Sequence, residues 1–227
     1  MNDFKTVKLN KESGTLWVEL SRPSIGNSYN VQMRDELYEI FSLIFYDDEI
    51  KTVLLSGAGD NFCTGADLTE FGTAPSPVIA RNIRWKRDLW KLFIECPKPI
   101  VTAIHGYCIG SGLEMALLTD IRICAKTTTF YMPESRLGLL PAAGGTQSIA
   151  RSSRFNTSQE LLYNGSRVDS QTALSQGIVS RVIQDDKLMT IAFEICKQIN
   201  QISSKNMAAI KTYSNFIYRQ PIKAMEE

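Results

Sequence analysis

Two short runs and two glutamates carry the chemistry that this sequence suggests. Phe62-Cys63-Thr64-Gly65-Ala66-Asp67-Leu68 follows a strand-like segment and its turn. Gly106-Tyr107-Cys108-Ile109-Gly110-Ser111-Gly112 follows another and leads into Leu113-Glu114-Met115-Ala116. Each run places small residues where a strand hands over to a helix. Free backbone N–H groups point outward there, and the helix dipole adds partial positive charge. Small residues admit a ligand close to that backbone. Two such turns facing one another would offer paired N–H donors to a developing oxyanion. The alternative is that the glycines serve close packing alone.

The glycine run fits neither common phosphate-binding pattern. A G-x-G-x-x-G starting at Gly110 would need glycine where Met115 stands, and no Gly-Lys-Ser/Thr follows. Glu114 sits one turn into an apolar helix, so it is partnered, protonated or functional. A buried ion pair with an arginine is its structural alternative. Glu134, in Tyr131-Met132-Pro133-Glu134-Ser135-Arg136, follows a short strand. Its alternative is a solvated loop carboxylate or a charge at a helix start. Two carboxylates converging on one pocket could hold a water and pass protons.

The elements that must position these groups alternate between strand and helix patterns. Residues 4–9 and Thr15–Leu20 alternate around residues 11–14 as a hairpin. Residues 21–28 read as a loop from their Pro, Gly, Ser and Asn content. From Val31 to about Phe45, Leu37, Ile40, Phe41, Ile44 and Phe45 recur on a helical period. Strands are expected at residues 52–55, Ile100–Ile104, Ile121–Ala125, Thr129–Tyr131 and 178–183, with one helix over residues 77–95 and another over residues 113–118. Trp85, Leu89 and Trp90 on the longer of these read as core. A further helical stretch is expected at residues 207–218. Strand, helix and strand joined by short loops indicate an α/β chain with largely parallel pairing.

Composition narrows the function classes. The chain has 227 residues, 44% of them apolar, which is ordinary globular usage. Lys+Arg 25 against Asp+Glu 24 leaves no basic excess for nucleic acid. No apolar run reaches the roughly 18 residues of a membrane span, and the start lacks the marks of a secretory signal. Five scattered cysteines and one histidine make a metal cluster improbable, so no metal is expected. The cysteines read as reduced thiols, which points to a cytoplasmic location.

With these residues in view the sequence resembles the enoyl-CoA hydratase/isomerase (crotonase) family. The resemblance runs through Arg22-Pro23 with Asn27, the run from Phe62 to Leu68, Pro97-Lys98-Pro99, His105 through Gly112, Asp120, Pro133-Glu134, Leu137-Gly138-Leu139, Pro141, Gly144-Gly145-Thr146-Gln147, and Ala173 with Gly177-Ile178-Val179. It implies an α/β fold, a crotonase-like spiral of ββα units over residues 1–184, with a helical C-terminal appendage over residues 185–227 that is short relative to the family. It implies an acyl-CoA thioester substrate and a homotrimer or hexamer, with neither membrane nor nucleic acid as partner. No separate cofactor is implied, since coenzyme A is part of the substrate. The backbone N–H groups of Ala66 and Ser111 fall where the family's oxyanion hole lies. Arg22, Ala66, Asp67, Leu68, Gly110 and Ala142 fall at substrate-binding positions. Glu114 and Glu134 match the two glutamates of members that hydrate a double bond, Glu114 chiefly as base and Glu134 exchanging the proton at C2. The activity implied is reversible syn hydration of a trans-2-enoyl thioester.

The chain departs from the family pattern where Ala142 replaces a common glycine after Pro141 and where Thr69 replaces a common lysine. Other readings are a 3-enoyl to 2-enoyl-CoA isomerase and a dehydratase or decarboxylase acting on a carrier-protein thioester. A Ser/His hydrolase built on Ser111 and His105 lacks an orienting acid. A nucleic-acid-binding relative would need a lysine-studded early helix, and this one carries Asp35, Glu36 and Glu39 with Arg34 alone. The run Arg81, Arg84, Lys86 and Arg87 reads as a solvated helix face.

Overall fold

A computed structural model describes residues 4–214. The chain opens with strands β1 (Val7–Glu12) and β2 (Thr15–Leu20), paired antiparallel from Val7 opposite Leu20 to Glu12 opposite Thr15. The hairpin is tighter than the composition suggests. Ser13 and Gly14 both take positive φ, 50° and 82°, so a two-residue turn closes it and Lys11 and Glu12 join the strand. Helix α1 (Val31–Ile44) then crosses over to β3 (Thr52–Gly57), which lies parallel to β2. Met33, Leu37, Ile40, Phe41 and Ile44 form its buried stripe, and the Asn30 side chain caps its start at Met33 N.

The single helix expected over residues 77–95 is two, α2 (Pro77–Lys86) and α3 (Leu89–Glu95). Asp88 causes the break: its carboxylate accepts from Lys91 N at 3.0 Å and starts a new helix. Leu89 is buried and Trp90 packs on the core, but α2 has no buried residue, and Trp85, expected in the core, is 60% exposed beneath Arg81.

Next come β4 (Ile100–Ile104), β5 (Tyr107–Ile109), α4 (Ser111–Leu117), β6 (Ile121–Ala125) and β7 (Thr129–Tyr131). The run from Gly106 to Gly112 is thus no single turn: it contains β5, which pairs parallel to β7. Helices α5 (Gly145–Ser152) and α6 (Phe155–Gln159) and a π turn at Glu160–Asn164 lead to β8 (Arg167–Asp169), a strand with no clear sequence signal. Helix α7 (Ser170–Gln176) precedes β9 (Arg181–Ile183). That strand is shorter than expected because Ile178 N and Val179 N bond back to Ala173 O. Helices α8 (Leu188–Asn200) and α9 (Ser204–Ser214) end the described chain. The part of the expected helix beyond residue 214 lies outside the described residues.

Two sheets share these strands. One runs β1-β2-β3-β4-β6-β9 and the other β5-β7-β8. Parallel bridges between Cys63 and Cys108 and between Tyr29 and Ala66 extend the second sheet through residues 62–66. Each turn of the chain therefore places one strand in each layer before its helix: β3 with residues 62–66, β4 with β5, and β6 with β7. Between the layers lies a core of Val18, Phe41, Phe62, Phe93, Ile104 and Met115. The other face of the first sheet is covered by Leu188, Ala192, Ile195 and Cys196 of α8. Lys211 of α9 is buried, donating to Lys98 O at 2.9 Å and pairing with Asp120 at 2.7 Å. All five cysteines are buried free thiols.

Candidate active site

The two small-residue turns meet. Cys63 N donates to Tyr107 O and Ile109 N to Cys63 O, so residues 62–66 and β5 run side by side into their turns. At the end of β5, Gly110 takes φ 47°, ψ −120°. A methyl there would lie 2.5 Å from Glu134 Oε1 and 3.9 Å from the Cα of Gly65. Gly112 has packing reasons instead, since a methyl there would press to 2.6 Å on Cys63 O. The glycines serve both packing and access.

The geometry leaves two N–H groups over. The parallel bridge between Tyr29 and Ala66 uses Gly65 O, which accepts from Tyr29 N, and Asp67 N, which donates to Tyr29 O. Ala66's own N–H faces the opposite way and meets no acceptor among the described residues. Ser111 is the first residue of α4, where no intrahelical acceptor exists. The first helical bond is Glu114 N to Gly110 O, and Ser111 N–H also meets no acceptor among the described residues. A pair of such donors can stabilise negative charge on an oxygen placed between them.

Behind these donors stand the two carboxylates. Glu114, 1% exposed on α4, accepts from Ala143 N at 2.8 Å and Gly145 N at 2.9 Å, both on Oε1. A methyl at Gly145 would fall 2.7 Å from that oxygen, so only glycine lets the backbone reach it. Burial pushes the Glu114 carboxyl up to about 7 and the Glu134 charge adds to this, against the pull of the two N–H bonds and Arg84. Glu134 starts a 3₁₀ turn (Glu134–Leu137), half-buried, and burial raises it too. Its Oε2 is buried without a hydrogen-bond partner. Neither structural alternative describes them: among the described residues no arginine forms an ion pair with Glu114, and Glu134 is turned inward. A carboxyl that titrates at about 7 beside a second one that burial also raises can take and return protons.

Around the first turn, Arg22 pairs with Asp67 at 3.0 Å and donates to Ser28 O. The Thr69 hydroxyl, and then Arg22, hold the Asp67 carboxyl below its usual range. Thr69 is thus tied to Asp67, where a lysine would project a charge. Leu68 is 57% exposed. Ala142 is exposed and adjoins Ala143, one of the Glu114 donors. The structure therefore gathers Ala66, Gly110, Ser111, Glu114, Glu134 and Ala142 and keeps Arg22 and Asp67 beside them, while Leu68 faces out. Sequence reasoning missed the roles of Ala143 and Gly145, for which the paired glycines at 144–145 were the available signal.

His105 does not join this group. Its Nε2 lies 2.8 Å from Gly59 O, and the ring lines a cavity of about 490 Å³ with Trp17, Asp60 and Asp185, at the carboxyl ends of the parallel strands. Among the described residues no cluster of His, Cys, Asp and Glu has the makings of a metal site, and no helix is long and apolar enough to cross a membrane.

Comparison with known proteins gives the family and the fold. The family model described as enoyl-CoA hydratase/isomerase matches residues 10–224. A probable mitochondrial enoyl-CoA hydratase 2 of Arabidopsis thaliana is 33% identical over 210 residues, covering 90% of this chain and 69% of the plant protein. A mitochondrial Delta(3,5)-Delta(2,4)-dienoyl-CoA isomerase of Mus musculus is 34% identical, covering 89% of this chain and 65% of its own. A crystal structure of an enoyl-CoA hydratase from Bacillus anthracis superposes with a TM-score of 0.89 at 28% identity, covering 98% of this chain and 87% of that one.

Proposed function

This chain belongs to the enoyl-CoA hydratase/isomerase family, and we propose that its own activity is reversible syn addition of water to a trans-2-enoyl-CoA thioester. The thioester carbonyl oxygen sits between Ala66 N–H and Ser111 N–H, which hold the negative charge that develops as the enolate forms. Each such donor is worth about 3–4 kcal/mol in rate. A water molecule lies between Glu114 and Glu134. Glu114 takes its proton as the oxygen bonds to C3, and Glu134 delivers a proton to C2 on the same face. The balance closes when Glu114 passes its proton back to Glu134 through solvent water: net, one water is consumed, with one hydrogen on the new C3 hydroxyl and one on C2.

The observation that supports a hydratase over other members is the unequal pair of carboxylates. Glu114 is aimed by two N–H donors on one oxygen, while Glu134 keeps a buried oxygen without a hydrogen-bond partner among the described residues. Moving a double bond within the chain needs one proton shuttle; adding water needs a base and a second proton carrier. The Arg22–Asp67 pair and the exposed Leu68 adjoin Ala66 in the first turn and are the proposed substrate contacts.

The test is loss of the ultraviolet absorbance of crotonyl-CoA on adding the protein, beside Glu114→Gln and Glu134→Gln. Fast loss that both substitutions abolish is the expected result. No loss with folded protein overturns the hydratase reading and directs the assay to 3-enoyl-CoA isomerisation.

A further inference from the structure

We propose that Asn27 is a positioning residue for the first oxyanion donor, its side-chain amide clamping the loop that sets the direction of the Ala66 N–H. The proposal rests on the enoyl-thioester reading above. Asn27 is 0% exposed and takes φ 58°, a left-handed conformation that asparagine tolerates better than most side chains. All of its amide is used. Oδ1 accepts from Arg22 N at 2.8 Å, and Nδ2 donates to Ala58 O at 2.8 Å and Asn61 O at 2.7 Å.

Those two carbonyls bracket the loop that feeds Phe62 into the first turn. On one side of the turn segment, Phe62 N and Cys63 N bond to His105 O and Tyr107 O. On the other side the residues flanking Asn27 grip it. Thr64 N donates to Gly26 O at 3.0 Å, Tyr29 N to Gly65 O at 2.8 Å, and Asp67 N to Tyr29 O at 2.8 Å. Ala66 is the residue whose N–H these rungs skip, so its aim follows from theirs. Asn27 Oδ1 also holds the backbone of Arg22, whose guanidinium pairs with Asp67 next to Ala66. Loss of the amide frees the loop and the arginine turn together. An oxyanion donor misplaced by a fraction of an ångström loses much of its value.

Asn27→Gly keeps the backbone conformation and removes the amide. Asn27→Asp keeps the acceptor for Arg22 N and removes both donors. Each should lower kcat for the enoyl-CoA substrate roughly 10–100-fold with KM changed less than about threefold. Each should also shrink the red shift of bound para-dimethylaminocinnamoyl-CoA, whose absorbance reports polarisation of the thioester carbonyl. Lys211→Met, which breaks a buried contact remote from the turns, serves as the control. It lowers the melting temperature and should leave kcat and the red shift unchanged. Asn27→Ser takes the place of either variant that does not fold. Folded Asn27 variants with wild-type kcat and a full red shift overturn the role of Asn27 alone. Wild-type protein that binds the probe without any red shift overturns the oxyanion reading beneath it as well.

Discussion

Glu36 and Glu114 are both carboxylates on the buried side of a helix, yet their surroundings treat them oppositely. Glu36 sits where α1 passes the start of the hairpin and is 9% exposed. Burial would raise its carboxyl, but four donors outweigh that: the Thr6 hydroxyl and N–H on one oxygen, Lys5 N and Gln32 Nε2 on the other. Its carboxyl is held below the usual range. Glu114, where α4 meets α5, has two donors on one oxygen and is pushed up to about 7. Glu114 is also the more deeply buried, 1% exposed against 9%, and it faces the Glu134 charge. Fewer donors, greater depth and that neighbouring charge together separate a carboxylate that fastens the fold from one left short of partners and ready to exchange a proton.

The largest effect that tests this contrast is on turnover. Glu114→Gln and Glu134→Gln should each lower kcat at least about a thousandfold, the size expected when a general base and its relay are lost. Comparable turnover in either variant would erase the distinction at its catalytic end. The activity of the unchanged protein should rise with pH through about 7, where Glu114 becomes charged, and fall again where Glu134 loses the proton it delivers.

Stability follows with the opposite sign. Glu114 binds its proton more tightly folded than unfolded, so its favourable contribution is complete below pH 4.5 and is lost as pH rises toward about 7. Above neutrality the charged carboxylate costs about 3 kcal/mol. Glu114→Gln keeps the acceptor for Ala143 N and Gly145 N and carries no charge. Its melting temperature should therefore exceed that of the unchanged protein above pH 7 and match it at acid pH. Equal melting curves at every pH would mean that Glu114 is as well satisfied as Glu36.

A third substitution acts on Glu134 without touching it. Gly110→Ala forces a side chain into a backbone at φ 47° and within 2.5 Å of Glu134 Oε1. The carboxylate and the neighbouring Ser111 N–H must both shift, and kcat should fall about a hundredfold. Retained activity would show that the placement of Glu134 is as tolerant as its missing partner allows.

Much of this arrangement was legible in the sequence because period and charge leave marks. The α1 stripe, the strands of the parallel sheet and the lone glutamate inside Leu113-Glu114-Met115-Ala116 all stood out. What did not stand out has no side-chain signature. Strands β5 and β8 are three residues long, too short for an alternation to show. The break between α2 and α3 was hidden because apolar residues recur on both sides of Asp88, although that aspartate was itself a start signal. The donors to Glu114 are backbone groups, which every residue but proline carries, so the glycine pair at 144–145 was their single mark. The Ala66 and Ser111 N–H groups entered through family resemblance rather than through residue chemistry.

The smallest expected effect makes the comparison sharpest. Glu36→Gln retains size and shape, but its amide must turn an NH₂ toward one of the two donor pairs, either Lys5 N with Gln32 or the pair on Thr6. A buried donor facing donors costs about 2 kcal/mol, or roughly 4–8 °C in melting temperature for a chain of this size. Because the carboxyl is held low, its contribution is present above the unfolded value of 4.5 and fades as pH falls, so the deficit should shrink in acid. The hydrogen bonds of Glu36 go to Lys5, Thr6 and Gln32 and to none of the proposed reacting groups, so kcat should stay within about twofold. One and the same change, glutamate to glutamine, then lowers the melting point and spares turnover at residue 36, while at residue 114 it raises the melting point at alkaline pH and removes turnover. If both substitutions lower the melting point alike at pH 8, the count of donors does not decide the role of a buried carboxylate here.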